Sequence, residues 1–189
     1  MPDAPTAAPE AELEDRALVA RWQGGDERAA TRLVEMHAPS VARFVASLGE
    51  REGAAELVQD TFVRAFGSLD TWRGEASFRS WLFTIARRLV LDRRRSARRQ
   101  RTIASLDDEG ATELAGGDDV LGGVIAAESA VRLREAVATL TPTQREVFLL
   151  RVVEGMSYRE IAGVAATTEG AARVHYHNAL RTVRDYLDA

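Results

Sequence analysis

The amino-acid sequence predicts an all-α protein of two small helical domains joined by a flexible linker, with a helix-turn-helix in the second domain. Apolar residues recur at helical spacing along most of the 189 residues, and no stretch alternates as a strand does. An acidic, glycine-containing stretch with little apolar periodicity divides the chain. Four segments follow: an acidic tail (1–15), a first domain (16–101), an acidic linker (102–127) and a second domain (128–189).

In the first domain, glycine and proline mark the expected helix ends. The pattern predicts a first helix that stops at Gly24–Gly25 and a second that is capped by the side chain of Asp26. We expect Pro39 to break this second helix. Two further amphipathic helices are predicted to end at Gly49 and Gly67. The acidic tail, which is rich in proline, is expected to be flexible.

A long helix and a helix-turn-helix complete the predicted architecture. After a loop that contains Trp72, Ser77 is placed to cap a long helix that ends in an arginine-rich stretch. In the second domain, Thr141–Pro142 separates two helices. Residues 157–160 have the capping-box pattern at the start of a short helix, and Thr168 is placed to cap the last helix.

Composition and charge exclude several classes of protein. The chain has no cysteine, which excludes disulfides, thiolate metal sites and cysteine nucleophiles and fits a reducing cytoplasm. Its apolar stretches are short, and its first 15 residues are acidic where a signal peptide is basic, so we expect neither export nor membrane insertion. Residues 16–101 contain 17 arginines against ten acids, between two acidic segments. This asymmetry favours a polyanion-binding first domain.

The last predicted helix has two opposite faces. At about 3.6 residues per turn, its apolar side chains fall on one side, and Arg173, Val174, His177, Asn178 and Arg181 fall on the other. Arginine can bond to guanine, asparagine to adenine, and valine can contact the thymine methyl group, so this second face is a candidate for reading DNA bases. The alternative is an ordinary amphipathic helix with a solvated polar face.

The arginine-rich end of the long helix is a second candidate DNA surface. Residues 87–101 contain eight arginines and one acid, a cationic rod suited to phosphates, although charge runs are often only solvated faces. The mixed aromatic and basic residues before it could stack an unpaired base and hold its backbone. Phe78 and Trp81 are more readily explained as core residues. Trp72 could equally be a core residue or a residue that stacks an unpaired base. The mixture comprises Trp72, Arg73, Phe78, Arg79, Trp81 and Phe83.

The helix over residues 56–66 carries a polar face opposite its apolar stripe. That face consists of Glu56, Gln59, Asp60 and Arg64. By physical chemistry alone it is an ordinary solvated surface.

Signals of catalysis are missing from the sequence. It contains no glycine-rich phosphate loop, no nucleophile elbow and no pair of carboxylates in an apolar setting. His175 and His177 point about 200° apart on their helix and cannot share a metal. We interpret His37 as a capping or surface histidine. We therefore expect no catalytic residue, no metal and no cofactor.

Two sets of motifs resemble one protein family. Residues 54–62 (AAELVQDTF), 78–87 (FRSWLFTIAR) and 92–95 (DRRR) are similar to region 2 of the extracytoplasmic-function (ECF) sigma factors of bacterial RNA polymerase. Residues 140–148 (LTPTQREVF) and 154–162 (EGMSYREIA), followed by a basic helix, are similar to region 4 of the same family. Each block alone is moderately specific, but the two in this order and spacing are highly specific.

The resemblance implies three binding surfaces. The helix over 56–66 matches the part that docks on the coiled coil of the largest polymerase subunit, which implies a core-polymerase interface at Glu56, Gln59, Asp60 and Arg64. The loop 68–77 and the helix after it match the part that captures a flipped base of the minus-10 element, which implies roles for Trp72, Arg73, Arg79, Arg87, Arg88, Arg94 and Arg95. The last helix matches the minus-35 recognition helix, which implies roles for Thr168, Arg173, Val174, His177, Asn178 and Arg181.

The family pattern is not matched at every position. Arg88 stands where the family often has asparagine, and His177–Asn178 is less cationic than in many members. Ala165–Ala166 replaces the frequent Leu-Gly of the helix-turn-helix, so we expect a strained or altered turn.

As a whole, the resemblance implies a cytoplasmic sigma factor, monomeric when free, that melts promoters of a stress or envelope-response regulon. Its expected partners are core RNA polymerase, promoter DNA and an anti-sigma factor. A free-standing helix-turn-helix regulator is the alternative, and such regulators usually dimerise to read two half-sites.

Overall fold

The computed structural model describes residues 8–104 and 127–189, and every regular element in these ranges is helical. The all-α prediction is confirmed for this part of the chain, whereas the predicted tail and linker lie partly outside it, at 1–7 and 105–126. No helix of the two described ranges is long and apolar enough to cross a membrane. The elements are α1 (Ala8–Gln23), α2 (Glu27–Ser47), α3 (Ala54–Gly67), a 3₁₀ turn (Leu69–Thr71), α4 (Phe78–Ala104), α5 (Ala127–Ala138), α6 (Pro142–Val152), α7 (Tyr158–Ala165) and α8 (Glu169–Asp188).

Side-chain caps start the helices where the sequence predicts them. Oδ1 of Asp26 accepts a hydrogen bond from the backbone N–H of Arg28 at 3.0 Å. At α7 both halves of the capping box form: Ser157 Oγ accepts from the N–H of Glu160, and the Glu160 carboxylate accepts from the N–H of Ser157 at 2.9 Å. Each cap satisfies an N–H group that the first turn of a helix leaves unpaired.

Helix α1 begins inside the segment that the sequence predicts to be a flexible tail. It starts at Ala8, and Asp15 is buried, with its Oδ1 2.7 Å from Nε2 of the buried His37. Together with Leu18 and Val19, this polar pair holds α1 against the first domain. The interpretation of His37 as a capping or surface histidine is therefore wrong, and the expected flexibility fails for residues 8–15.

Pro39 lies within α2 and does not break it. A proline in a helix interior removes one backbone hydrogen bond and costs about 3 kcal/mol. The side chains of His37, Ser40 and Val41, on both sides of it, are buried. Tertiary packing therefore offsets the tendency of proline to break a helix, and the local sequence pattern does not show this packing.

The first domain has an aromatic core between α2 and α4. The rings of Phe44 and Phe83 stack with their centroids 4.7 Å apart, and Phe78 is fully buried. A second, smaller core lies between α5, α6 and α8 and comprises Ala136, Val137, Leu140, Phe148, Leu149, Ala179 and Val183. Each half of the molecule thus has an apolar centre of its own, as the two-domain prediction requires.

The two domains also pack against each other. Helix α4 contacts α7, and α2 contacts α6. The hydrophobic cluster of the first domain continues into the second through Val147, Leu150, Met156, Ile161 and Val164. Helix α4 is therefore covered along part of its length by the second domain.

Candidate nucleic-acid and protein interfaces

Helix α8 presents its predicted reading face to solvent. Ala172, Ala179 and Val183 are buried on the opposite side. Thr168, Arg173, His177 and Arg181 are exposed and Asn178 is half-buried, and Val174 is 58% exposed although it is apolar. The two faces predicted from the helical period are confirmed, whereas base contacts by these side chains stay a prediction.

A tyrosine of α7 holds the guanidinium of Arg173 in place. The Arg173 guanidinium carbon lies 4.6 Å from the centroid of the Tyr158 ring, and its Nη2 lies 3.2 Å from Glu169 Oε1. The guanidinium of Arg151 lies 4.7 Å from the centroid of the same ring. Cation–π contact and ion pairing restrict the rotamers of Arg173 before any DNA is bound.

The turn of the helix-turn-helix contains a residue in the left-handed backbone conformation, and that residue is not glycine. Ala166 has φ 52° and ψ 50° and ends α7. A non-glycine residue pays about 1–2 kcal/mol for this conformation. The expected strain is present at Ala166, but the turn still places Thr168 where it caps α8.

Two residues of the reading face bind each other. Nη2 of Arg181 donates to Oδ1 of Asn178 at 3.2 Å. A bidentate contact of asparagine with adenine uses this same oxygen as an acceptor. Arg181 must therefore release Asn178, or share it, when a base is read.

Acids of the first domain neutralise two central residues of the arginine run. Nη1 of Arg93 lies 2.8 Å from Glu56 Oε2, and Nε of Arg94 lies 3.3 Å from Glu50 Oε1. A Cβ at Gly53 would lie only 2.5 Å from Arg93 Nη1, so the glycine allows this close approach. Arg94, a predicted minus-10 residue, and Glu56, a predicted polymerase-binding residue, each have an intramolecular partner.

The remaining predicted minus-10 residues of the first domain lie at the surface. Arg73, Arg88 and Arg95 are exposed. Trp72 is half-buried, donates its indole N–H to the carbonyl of Ala76 at 3.1 Å, and packs edge-on against Phe78. The interpretation of Phe78 as a core residue is confirmed, while Trp72 keeps part of its ring accessible.

The second domain binds the other two predicted minus-10 arginines. Arg79 donates to both the carboxylate and the backbone carbonyl of Glu154, and Glu154 also lies 3.6 Å from Arg43 of α2. Nε of Arg87 donates to Oε1 of Glu146 at 2.6 Å. Both carboxylates are buried, with exposed side-chain fractions of 3% for Glu154 and 8% for Glu146.

Burial shifts the ionisation of this ion-pair network. It lowers the pKa of the Arg79 guanidinium, which still remains charged at neutral pH. It raises the pKa of Glu146 against the opposing effect of Arg87. Burial also acts to raise the pKa of Glu160, but hydrogen bonds from Ser157, Ser77 and Ser80 outweigh it, and the net shift is downward.

The hydroxyl groups at the start of α4 meet the capping residue of α7. Ser77 Oγ and Ser80 Oγ lie 2.8 and 2.9 Å from Glu160 Oε1. Ser77 Oγ also accepts from the backbone N–H of Ser80, which confirms its predicted capping role. One carboxylate therefore caps its own helix and binds the first turn of α4.

The predicted polymerase-binding face of α3 is exposed and contains one apolar side chain. Glu56, Gln59, Asp60 and Arg64 all lie at the surface. Val63, which the sequence analysis missed, is 65% exposed in their midst. The sequence signal that could have identified it is a valine two helical turns after Glu56, on the polar face of the predicted helix.

Three further residues were missed because their partners are distant in sequence. Glu146, Glu154 and Arg43 belong to the contact between the domains. Glu146 lies beside the apolar run Val147–Leu150, and an acid beside such a run is a sign of a buried, paired carboxylate. In the described ranges, no three histidine, aspartate or glutamate side chains are arranged to hold a metal ion.

Two family models match the chain, one in each domain. Residues 33–100 match Sigma-70 region 2, and residues 130–183 match Sigma-70, region 4. The first matched range contains most of α4 with its arginine run, and the second contains the helix-turn-helix with the exposed face of α8.

Several sigma factors are similar to the chain over most of its length. The ECF RNA polymerase sigma factor BldN of Streptomyces coelicolor is 34% identical over 90% of this chain and 64% of its own length. The ECF RNA polymerase sigma factor SigC of Mycobacterium tuberculosis is 35% identical over 83% of this chain and 82% of its own. The solved structure of CnrH in complex with the cytosolic domain of CnrY is 28% identical, covers 93% of this chain and 97% of that one, and superposes with a TM-score of 0.64.

Proposed function

The chain belongs to the ECF sigma factors of RNA polymerase, and from this membership we propose how its surface is divided among core polymerase and the two promoter elements. The proposal rests on one observation: each of the two matched family regions contains an accessible surface suited to the promoter element it is expected to bind. Region 4 contains an exposed, polar reading face on α8, and region 2 contains arginines and a partly exposed tryptophan around α4. The protein acts by binding, in the cytoplasm, without a covalent step of its own.

The minus-35 element is read as duplex DNA by α8. Arg173, Val174, His177 and Asn178 face the bases, and Arg181 meets the backbone near the point where the helix leaves the groove. Thr168, at the helix start, is positioned for a phosphate, because the N–H groups of the first turn attract anions. The stacking of Arg173 on Tyr158 supports this assignment, since an arginine held in one rotamer loses less entropy on binding.

The minus-10 element is captured as unpaired DNA by the loop before α4 and by α4 itself. Trp72 and Arg73 are placed to stack a flipped base, and Arg79, Arg87, Arg88, Arg94 and Arg95 hold the adjacent phosphates. The free energy of binding the single strand offsets the cost of unpairing the duplex. Promoter melting is then a shift of population toward the open form.

Core polymerase binds the exposed face of α3. Asp60 and Gln59 supply polar contacts, Glu56 and Arg64 flank them, and Val63 gives the face the apolar centre that protein interfaces commonly have. An anti-sigma factor is a further expected partner, since the related sigma factor CnrH was solved in complex with the cytosolic domain of another protein, CnrY.

Run-off transcription with core polymerase tests the proposal. The purified chain should start transcripts at a cognate promoter, and Asp60→Arg should lose this activity because it reverses a charge in the centre of the α3 face. The matched control is Glu35→Arg, the same reversal at an exposed position of α2, which should retain activity. If Asp60→Arg competes with another sigma factor for core as well as wild type does, the assigned interface is wrong.

Size-exclusion chromatography distinguishes a sigma factor from the alternative, a free-standing helix-turn-helix regulator. A free-standing helix-turn-helix regulator elutes as a dimer and binds its operator without polymerase. The sigma factor elutes as a monomer and requires core polymerase.

A further inference from the structure

The loop between the 3₁₀ turn and α4 carries the two residues that the proposed function assigns to the flipped base. It begins with Trp72 and Arg73 and ends at Ser77, which caps α4. The loop closes on itself where the indole N–H of Trp72 donates to the carbonyl of Ala76 at 3.1 Å. At its tip, Gly74 has φ 71°, a left-handed conformation that favours glycine. Because glycine has more backbone freedom than any other residue, a contact from outside the loop is needed to limit its conformations.

Arg16 of α1 supplies such a contact from 58 residues earlier in the chain. Its Nη2 donates to the carbonyl oxygen of Gly74 at 2.8 Å. The guanidinium also covers the turn: a Cβ built at Gly74 would lie 3.5 to 3.6 Å from its Cζ and both Nη atoms, which is ordinary van der Waals contact. One side chain therefore both bonds to the tip of the loop and packs on it.

The helix that carries Arg16 is itself fixed to the first domain. The neighbouring Asp15 is buried, and its Oδ1 lies 2.7 Å from Nε2 of His37. The His37 ring packs edge-on against Phe78 with the centroids 5.5 Å apart, and Phe78 packs edge-on against Trp72. Consecutive residues of α1 thus connect it to the loop by two routes, Asp15 through the core and Arg16 across the surface.

The bond from Arg16 to Gly74 is suited to ordering the loop and contributes little to folding. Arg16 is exposed, and an exposed hydrogen bond adds little to the free energy of unfolding because water can replace it. The same bond can still restrict a loop, and a binding site that is already ordered loses less conformational entropy when its ligand binds. Its removal should therefore affect base capture more than stability.

We propose that Arg16 is a positioning residue for promoter melting, which holds the loop 72–76 in the conformation that receives the unpaired base. The role rests on the proposed function, because it takes Trp72 and Arg73 to be the residues that meet the base. Arg16 does not meet the base itself and acts through the carbonyl of Gly74. It precedes residues 33–100, the range that matches Sigma-70 region 2, so the family match does not assign it a role.

The test measures the equilibrium between closed and open promoter for core polymerase with the full chain, by the permanganate reactivity of thymines in the minus-10 element of a cognate promoter. Arg16→Met keeps a side chain of similar length but has no donor. We expect it to lower the equilibrium constant for opening about three- to tenfold, the effect of losing one hydrogen bond of ordinary strength. Arg16→Lys, which can still donate to Gly74, should restore most of the opening.

The matched control is Arg21→Met, which removes another exposed arginine of α1. Nη2 of Arg21 lies 2.7 Å from Asp26 Oδ2, in the turn to α2, and not at the loop. This variant should open the promoter as well as wild type. An unchanged equilibrium in Arg16→Met, or an equal fall in Arg21→Met, would overturn the proposal.

A double-mutant cycle with Trp72→Ala separates positioning of the loop from a general structural role. If Arg16 acts through the loop, Arg16→Met should have little further effect in a chain that already has Trp72→Ala. Equal falls with and without Trp72 would mean that Arg16 acts elsewhere. Competition with another sigma factor should show unchanged affinity for core, and a loss of that affinity large enough to explain the fall would also contradict the role. Should Arg16→Met fail to fold, Arg16→Gln, which is too short to reach Gly74, decides by the same criteria.

The same measurements distinguish a failure of the positioning role from a failure of the proposed function. If wild type opens no promoter with core, or if Trp72→Ala opens it as well as wild type does, the proposed function of the loop is wrong and the role of Arg16 is wrong with it. If Trp72→Ala lowers the opening and Arg16→Met does not, the proposed function stands and only the role of Arg16 is wrong.

Discussion

The two candidate DNA surfaces are built from the same residue type but differ in what surrounds it. On α8, the side chain of Arg173 is 51% exposed and leans on a tyrosine. On α4, the side chains of Arg79 and Arg87 are 33% and 21% exposed and are bound by buried carboxylates of the other domain. The candidate surface on α8 is open to solvent, whereas the candidate surface on α4 is partly covered by the second domain.

This difference matches the order of events at a promoter. Duplex is present before melting, and under the proposed function the exposed face of α8 would meet it first. Unpaired DNA is present only after melting begins, and an arginine already bound to a carboxylate does not attract duplex DNA indiscriminately. The difference between the two surfaces is therefore whether the acid paired with each arginine is exposed, as Glu169 is, or buried, as Glu146 and Glu154 are.

The largest expected effect is on the free energy of unfolding, and it tests which face of α8 is buried. Tyr176→Ala should lower the free energy of unfolding by about 2–4 kcal/mol, because the ring packs against Phe148 and Tyr158 with centroids 6.3 and 6.0 Å away. Val174→Ala, on the exposed face, should change it by less than about 0.5 kcal/mol. Urea denaturation of the full chain measures both. Equal losses would mean that the two faces are not distinct.

The next effect distinguishes residues of α8 that contact DNA bases from residues that contact the phosphate backbone. Asn178→Ala should reduce discrimination at one minus-35 base pair by about 1–3 kcal/mol. Arg181→Ala should weaken binding to all sequences alike and lower the salt slope by about one. Transcription from a library of upstream elements, at several salt concentrations, separates the two. An unchanged base preference in Asn178→Ala would remove that residue from the reading face.

A smaller effect concerns the turn that places α8. Ala166→Gly should raise the free energy of unfolding by about 0.5–1 kcal/mol, because glycine adopts φ 52° without strain. Ala162→Gly, within α7, is the control and should lower it by about as much. Thermal melts of the wild type and the two variants measure these changes in stability. A loss of stability in Ala166→Gly would show that the turn is not strained.

The smallest effect is a pH dependence of stability that arises from Glu146 and Glu160 at the contact between the domains. The pKa of Glu160 is lowered in the folded chain, so its contribution to stability is present above its ordinary pKa of 4.5 and is lost as the pH falls through the lowered value. Glu146, with a raised pKa, contributes in the opposite direction. Glu160→Gln should therefore flatten the loss of stability in acid, and Glu146→Gln should steepen it. Urea midpoints between about pH 3 and pH 6 measure the slopes around that pKa, and equal slopes would contradict the assigned shifts.

Local features of the fold could be predicted from the sequence because they depend on neighbours along the chain. The cap at Asp26, the capping box at Ser157 and the two faces of α8 each follow from residues within one or two helical turns. The strained turn at Ala166 could be predicted for the same reason.

Long-range packing could not be predicted from such patterns. Arg87 and Glu146 are 59 residues apart in the chain, and Arg79 and Glu154 are 75 apart. No periodicity relates such positions, so the arginines were expected to be solvated or bound to DNA. The tolerance of Pro39 likewise depends on buried neighbours, which a local rule about proline does not include.

The most direct test of this account measures the distance between the domains in the free chain. Because the chain has no cysteine, Arg28→Cys on α2 and Arg184→Cys on α8 allow two spin labels to be attached without further change. Double electron–electron resonance should give one narrow distribution for the free protein. It should become longer and broader in the variant with Glu146→Gln and Glu154→Gln, which lacks both carboxylates that pair with arginines of α4. A broad distribution in the free wild-type chain, unchanged by that variant, would contradict the closed arrangement of α4.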